Sequence, residues 1–338
     1  MLEDGATYQA LQIVEFAPTF RESSKLITLP VVTPGPGELR VRNRICGING
    51  IFDTQIARNA VDYITIPLPS FCGVEAIGTV EAVGPDVEGF AVGDPVATTR
   101  FGRGYREISI APATEFVPVP AATADILTLV TTGVSALLAL EHIGEVRDGD
   151  TVAISAAAGG LGHLLVQLAL LRGCTVIGVC GGGRKGEMLK RLGVHRVIDY
   201  RTEDLDAVLR AEYPKGLNVA LDSVSGGIFD AFLANMAPHG RLVVSGAAQD
   251  LDGKPEIVSA PRIAHSIYYK GVSVRGFMNG LLTDLWPAAR ERLFALYEAG
   301  KIEVVRDDKP FQGIGDIPDA VEWLLSGRSM GKVLVDLD

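Results

Sequence analysis

Apolar, β-branched runs recur through the middle of the chain at residues 151–154, 175–181, 196–200, 218–224, 240–246 and 272–277. Each has the length of a strand and is apolar enough to be buried on both faces. Between most of them lie segments with apolar residues at helical spacing, as at 185–192 and 228–237, with Gly193 and Gly240 placed as helix stops. Strands alternating with helices predict a doubly wound parallel sheet. The last connection, 247–271, is longer and irregular, as a loop over a bound molecule would be.

The first 120 or so residues have another texture. Short β-type runs at 39–45, 78–83, 95–98 and 108–110 are separated by Gly and Pro, which predicts an antiparallel, barrel-like domain. After the sixth central run comes an amphipathic helix at 281–299, then strand-like segments at 302–305 and 332–337. The fold expected is therefore α/β, with an antiparallel barrel built from 1–123 and 281–338 and a parallel-sheet domain, 124–280, inserted into it. Ligands commonly bind in the cleft that such an arrangement leaves.

Composition narrows the function classes. The 338 residues are 47% hydrophobic, enough for two domain cores, and the net charge of −10 argues against nucleic acid or an anionic membrane as the main partner. Met1-Leu2-Glu3-Asp4 lacks the pattern of a secretory signal, so a cytoplasmic protein is expected. Residues 151–171 carry no formal charge, yet they contain a glycine turn, His163 and Gln167 and are read as strand plus helix, not as a membrane span. Cys46, Cys72, Cys174 and Cys180 show no C-x-x-C spacing, and the histidines share no metal-ligand spacing, so neither disulfides nor a metal site is expected.

The chemistry begins at Ala156-Ala157-Ala158-Gly159-Gly160-Leu161-Gly162, between the first strand and a helix over 163–171. Glycines there let the backbone turn tightly and approach a pyrophosphate, which the amides at the helix N-terminus then face. Ala157 stands in the place of the first glycine of G-x-G-x-x-G. The end of the second strand distinguishes the nucleotide, because an acid there would bind a ribose 2′-hydroxyl. The chain instead runs Cys180-Gly181-Gly182-Gly183-Arg184-Lys185, an open turn followed by two cations able to hold a 2′-phosphate, so NADPH is expected. The alternative, that Arg184 and Lys185 merely solubilise a helix start, is opposed by the macrodipole, which disfavours cations there unless an anion compensates.

Together, the motifs resemble the medium-chain dehydrogenase/reductase superfamily across nearly the whole chain, and specifically its zinc-independent quinone reductase and prostaglandin (enone) reductase branches. Pro34-Gly35-Pro36-Gly37-Glu38-Leu39-Arg40-Val41, Cys46-Gly47-Ile48-Asn49, Gly73-Val74-Glu75-Ala76-Ile77-Gly78, Gly89-Phe90-Ala91-Val92-Gly93-Asp94 and Thr132-Gly133-Val134-Ser135-Ala136 occur in family order, followed by the glycine turn and Asp199-Tyr200-Arg201. The resemblance implies a GroES-like antiparallel β-barrel catalytic domain with an inserted Rossmann domain. Val74 stands where zinc-dependent members carry the histidine of a G-H-E motif, and the cysteine lobe is missing. Cys46 is then most simply a small buried hydrophobe.

By the same resemblance, Gly159, Gly160 and Leu161 face the pyrophosphate. Lys185 and Tyr200 reach the 2′-phosphate, with Cys180, Gly181, Arg184 and Arg201 beside them. Asn49 and Thr132 lie near the nicotinamide, which Ser245, Gly246, Ala247, Phe277, Met278 and Asn279 flank. Ser223 and Ser329 stand where prostaglandin reductases have Asn, and the tyrosine of their loop after the fifth strand is absent from 247–251, so prostaglandin specificity does not transfer. Tyr63 is the candidate hydrogen-bond donor to a substrate enolate, with Asn49 its catalytic companion, although packing alone would equally explain Tyr63. Tyr105 is a second candidate donor, and Asp53, one place later than the family's usual acid, is read as structural. The implied reaction is hydride delivery to the β-carbon of an α,β-unsaturated ketone or aldehyde. A quinone reductase, an enoyl reductase acting in trans on carrier-bound thioesters and a nucleotide-binding protein with little catalysis stay open. The sixth strand would be a sheet edge, through which the resemblance implies a homodimer.

Overall fold

The computed structural model describes residues 5–60, 64–250 and 257–338. They fall into two compact units, Met1–Thr131 with Arg306–Asp338, and Thr132–Val305.

Strands of the first unit are β1 (Thr7–Ile13), β2 (Ser24–Pro30), β3 (Glu38–Gly47), β4 (Ser70–Phe71), β5 (Glu75–Val83), β6 (Pro95–Thr98), β7 (Ile108–Pro112) and β8 (Phe116–Pro118). Those of the second are β9 (Thr151–Ile154), β10 (Thr175–Cys180), β11 (Arg196–Asp199), β12 (Leu217–Asp222), β13 (Met236–Val244) and β14 (Ser273–Gly276); β15 (Leu334–Asp336) returns to the first.

The second unit is one parallel sheet in the order β11-β10-β9-β12-β13-β14. Strand order reverses between β9 and β12, and in such sheets ligands bind at this switch point, beyond the carboxyl ends of the strands. The core needs no alternation because helices cover both faces: Val152, Ala153, Ile154, Val176, Ile177, Val219, Ala220 and Leu221 are all fully buried.

In the first unit, β3 is the organising strand. One edge pairs along β5; the other is shared, with β7 on residues Glu38–Arg42 and β15 on Ile45–Gly47, all antiparallel. The sheet runs β15-β3-β5-β6-β8, beside a three-stranded sheet β2-β1-β4. Leu39, Val41, Val80, Val96, Ala111 and Phe116 form one core cluster. A helix over Ile317–Leu325, opened by Pro318, buries Ile317, Ala320 and Val321, the spacing of a single helix face.

Several expected elements shift. The helix anticipated at 281–299 forms as Trp286–Glu298 and, with residues 281–305, belongs to the second unit. Arg292 donates to both Glu141 carboxylate oxygens (2.5 and 2.9 Å) and the Glu303 amide to Gln167 (2.8 Å), which ties this segment to the inserted domain. Residues 302–305 are not a strand; only an isolated bridge joins Arg306 to Lys332. The helix expected to reach 237 ends at Ala234, where the Asn235 side chain turns back and donates from Nδ2 to the Ala231 carbonyl (2.8 Å), and β13 starts at Met236 instead of Gly240.

Among the described residues one helix, Ala124–Ile143, is long and apolar enough to cross a membrane, but 72% of its apolar window is buried inside the protein. Its last carbonyls accept from the sheet: Arg275 donates to Ile143 (2.7 Å) and Arg241 to Gly144 (2.9 Å), which satisfies groups that a helix end leaves orphaned.

Candidate functional site

In the second unit, β9 leads into Ser155–Leu161 and then the helix Gly162–Leu171. A Cβ on Gly162 would lie 2.2 Å from the Ala156 carbonyl oxygen and 2.6 Å from Ala157 Cα, so only glycine lets this helix start against the turn. Ala156 takes a left-handed φ of +44°, a conformation better suited to glycine. The fully buried His163 ring approaches the Gly159 carbonyl (3.0 Å), which also accepts from the His163 amide (3.1 Å). Gly160 and Leu161 donate to no described residue, which leaves two amides at a helix N-terminus for an anion.

Beside this turn, β10 ends at Cys180, and Tyr200 and Arg201 follow β11. The Tyr200 hydroxyl and Arg201 Nε would each be 2.8 Å from a Cβ on Gly181, so both polar heads lean over that glycine. Gly182, at φ +97°, turns the chain into the helix Gly183–Arg191, whose first turn holds Arg184 and Lys185 and no acid. The Asp199 carboxylate, at the end of β11, accepts from the Arg201 amide (3.0 Å). Burial, then Asp199, pushes the Cys180 thiol up to about 11, which keeps it a neutral wall of the turn. A tyrosine hydroxyl and three cations at the ends of β10 and β11 fit the 2′-phosphate of NADPH, and no acid follows Cys180 at the end of β10, where one would bind a free 2′-hydroxyl.

At the switch point, Asp222 is fully buried and bound by neutral donors: the Ser155 hydroxyl (2.7 Å) and the amides of Val224 (2.9 Å) and Ser225 (3.0 Å). Ser223 donates its amide to Ser155 (2.8 Å), and its hydroxyl shares a hydrogen bond with that of Ser245 (2.8 Å). This network laces the loops after β9, β12 and β13 together. Gly246 and Ala247 continue from β13, and Phe277, Met278 and Asn279 follow β14; the Asn279 side-chain oxygen accepts from Trp286 (2.8 Å). Thr132 is buried in the long helix.

A separate polar cluster lies in the first unit. Gly47 on β3 is paired with Glu75 of β5 on one side and Leu334 of β15 on the other. A Cβ on Gly47 would sit 2.1 Å from Glu75 Oε1, so glycine is what admits that carboxylate. Lys332, just before β15, meets Glu75 at 2.5 Å, with side chains 3% and 0% exposed. Lys332 Nζ also donates to Asn49 Oδ1 (3.0 Å) and the Ile48 carbonyl (3.1 Å), while Asn49 Nδ2 donates to Glu75 Oε1 (2.9 Å). The Asn49 amide donates to Asp53 (2.9 Å), which also accepts from the Tyr105 hydroxyl. Burial raises Asp53 to about 7 against those hydrogen bonds, and burial likewise pushes Tyr105 and Cys46 up.

Tyr105 is fully buried with its proton engaged on Asp53, which removes it as a donor to substrate. Tyr63 lies outside the described residues. Ser329 is buried in the first unit. Among the described residues no three His, Cys, Asp or Glu side chains gather as metal ligands. Cys46, Val74 and a Glu75 already neutralised by Lys332 do not fit a catalytic zinc. Sequence reasoning did not single out Ser155, Asp222 or Lys332; the signal available for the last was its place three residues after Ser329, in Ser329-Met330-Gly331-Lys332.

Two family models match, an alcohol dehydrogenase GroES-like domain over residues 35–121 and a zinc-binding dehydrogenase over 160–295. The sequence is 35% identical to prostaglandin reductase-3 of Mus musculus over 98% of this chain and 90% of that protein. It is 34% identical to a probable quinone oxidoreductase of Leishmania amazonensis over 98% of each. A mycobacterial protein solved in complex with NADPH superposes with a TM-score of 0.83 at 27% identity, over 97% of this chain and 99% of that one.

Proposed function

As the chain belongs to the medium-chain dehydrogenase/reductase superfamily, in its zinc-independent quinone and enone reductase branch, we propose that it is an NADPH-dependent reductase of α,β-unsaturated ketones or aldehydes. The observation that carries the cofactor is the cradle over Gly181, where Tyr200 and Arg201 stand with Arg184 and Lys185 and no carboxylate ends β10. NADPH, when bound, supplies hydride from its nicotinamide C4 to the β-carbon of the substrate.

The chain's own residues then have defined tasks. Gly160 and Leu161 amides, with Gly159, hold the pyrophosphate; Lys185, Tyr200, Arg184 and Arg201, beside Cys180 and Gly181, hold the 2′-phosphate. Ser223, Ser245, Gly246, Ala247, Phe277, Met278, Asn279 and Thr132 serve the nicotinamide half, and the resemblance adds Asn49 and Ser329. Tyr63 donates a hydrogen bond to the oxygen that gains charge as hydride adds to the β-carbon. No metal is asked to polarise that oxygen.

Quinone reduction is the second reading, favoured by the 34% identity to a probable quinone oxidoreductase. A homodimer through β14 accompanies either: this outermost strand has one edge without a partner strand among the described residues, and Tyr268, Tyr269 and Leu281, on either side of it in sequence, are exposed. We place the protein in the cytoplasm, in keeping with four free, buried cysteines.

Initial-rate oxidation of NADPH, with NADH in parallel, tests the proposal on a simple alkyl enone and a simple quinone. Turnover of the enone with a preference for NADPH is expected. Turnover of the quinone alone moves the assignment to the second reading, and no turnover of either overturns both.

A further inference from the structure

The Glu75–Lys332 pair has more built around it than neutralisation requires. Two strands that never pair with each other, β5 and β15, converge on Gly47, and its missing side chain is what lets the carboxylate cross. The three described acceptors of Lys332 Nζ are Glu75, the Ile48 carbonyl and Asn49 Oδ1, as many as an ammonium has protons. The cation therefore has nothing left to offer a substrate. Asn49 is half-buried, whereas both charges behind it are buried.

From this we propose that Glu75 and Lys332 are positioning residues that fix the orientation of the Asn49 carboxamide. An asparagine amide is nearly symmetric in shape, and neutral partners often tolerate either orientation. Here the ammonium demands the oxygen and the carboxylate demands the nitrogen. Rotating the group by half a turn would place NH₂ against Lys332 and the carbonyl oxygen against Glu75, two repulsive arrangements at hydrogen-bond distance. With the Asn49 main chain held by Asp53 through its amide, both ends of the residue are set from inside the unit. The accessible part of the carboxamide is thus presented in one orientation, which is how a buried ion pair contributes to a reaction it never touches.

The inference rests on the assignment of Asn49 to the reaction, and a mutant cycle separates the two. Asn49→Ala, the double variant E75Q/K332M and the triple combination are assayed with NADPH and whichever of the enone or quinone is reduced, with a thermal unfolding midpoint for each. Removing both charges together avoids stranding either one in the interior. Loss of orientation is expected to lower kcat about tenfold or more in the double variant, and the triple variant is expected to match Asn49→Ala. A merely structural pair would instead lower kcat by the same factor in both backgrounds, or lower the unfolding midpoint and leave kcat intact. Either result, or wild-type kcat in the double variant, overturns the inference while leaving the Asn49 assignment standing. Wild-type kcat in Asn49→Ala overturns the assignment and the inference together. Should the double variant fail to fold, Glu75→Gln alone keeps the side chain's size and an acceptor for Lys332; a smaller loss of kcat that disappears in the Asn49→Ala background is expected, and a loss that persists there refutes the idea.

Discussion

Replacing Asp53 with asparagine isolates the free energy of charging a carboxyl that is only 1% exposed. Burial moves Asp53 from 3.8 to about 7, in spite of hydrogen bonds from Tyr105 and the Asn49 amide that favour the ionised form; Lys332 also favours it and Glu75 opposes it. The unfolded chain releases this proton near pH 4 and the native protein only near neutrality. Between those values the native state binds the extra proton, so the contribution is full below about pH 4 and is lost as pH rises through 7. A gap of about three pKa units corresponds to about 4 kcal/mol, a sizeable part of the 5–15 kcal/mol that usually separates folded from unfolded protein. The asparagine cannot ionise, yet it keeps an oxygen for Tyr105 and the Asn49 amide. Urea unfolding of both proteins from about pH 4 to pH 8 is the assay, because subtracting the variant's curve cancels every other titrating group. The wild-type protein is expected to lose up to about 4 kcal/mol relative to the variant by pH 7 and little beyond. Parallel curves would refute the reasoning, since the carboxyl would then titrate alike in both states.

Lys185→Ala is expected to weaken NADPH binding at least about tenfold while leaving NADH nearly unchanged, measured as Kd by fluorescence titration; equal losses for both would sink the phosphate assignment. Gly162→Ala forces a Cβ to within 2.2 Å of a backbone oxygen, and a loss of about 1–3 kcal/mol in urea, with weakened nucleotide binding, is the expected outcome. Ala156→Gly relieves the left-handed residue at φ +44° and is expected to stabilise the protein by up to about 1 kcal/mol, read from the same unfolding curves.

The parallel sheet was legible because its strands are continuous apolar runs and its turns carry glycine where a side chain cannot fit. Gly162 and Gly181 both announce themselves in sequence, and both prove to be places where a Cβ would collide. The helix Ala124–Ile143 was not foreseen. It is apolar almost all round, as a buried helix must be, so it lacks the one-sided periodicity by which helices are recognised. The segment 302–305 shows the opposite failure: Ile302 and Val305 are buried as in a strand, but among the described residues no partner strand pairs with them. Tyr105, the second candidate donor, packs edge-on against Phe20 with its hydroxyl on Asp53, contacts that lie far from it in sequence. The pairing of Glu75 with Lys332 lay beyond local pattern altogether, because it follows from β5 and β15 flanking the same glycine of β3.

That flanking also imposes an order of assembly. Residues 132–305, which form the inserted unit, are all synthesised before β15, so β3 must wait through the whole of that interval with the edge at Ile45–Gly47 unpaired. During the wait Glu75 is a carboxylate without its counter-ion, and interior packing around it is unfavourable until the ammonium of Lys332 arrives. Closure of the first unit is therefore coupled to completion of translation through residue 336. A nascent or truncated chain that ends earlier exposes an open sheet edge and an uncompensated charge, the kind of surface that chaperones and proteases act on.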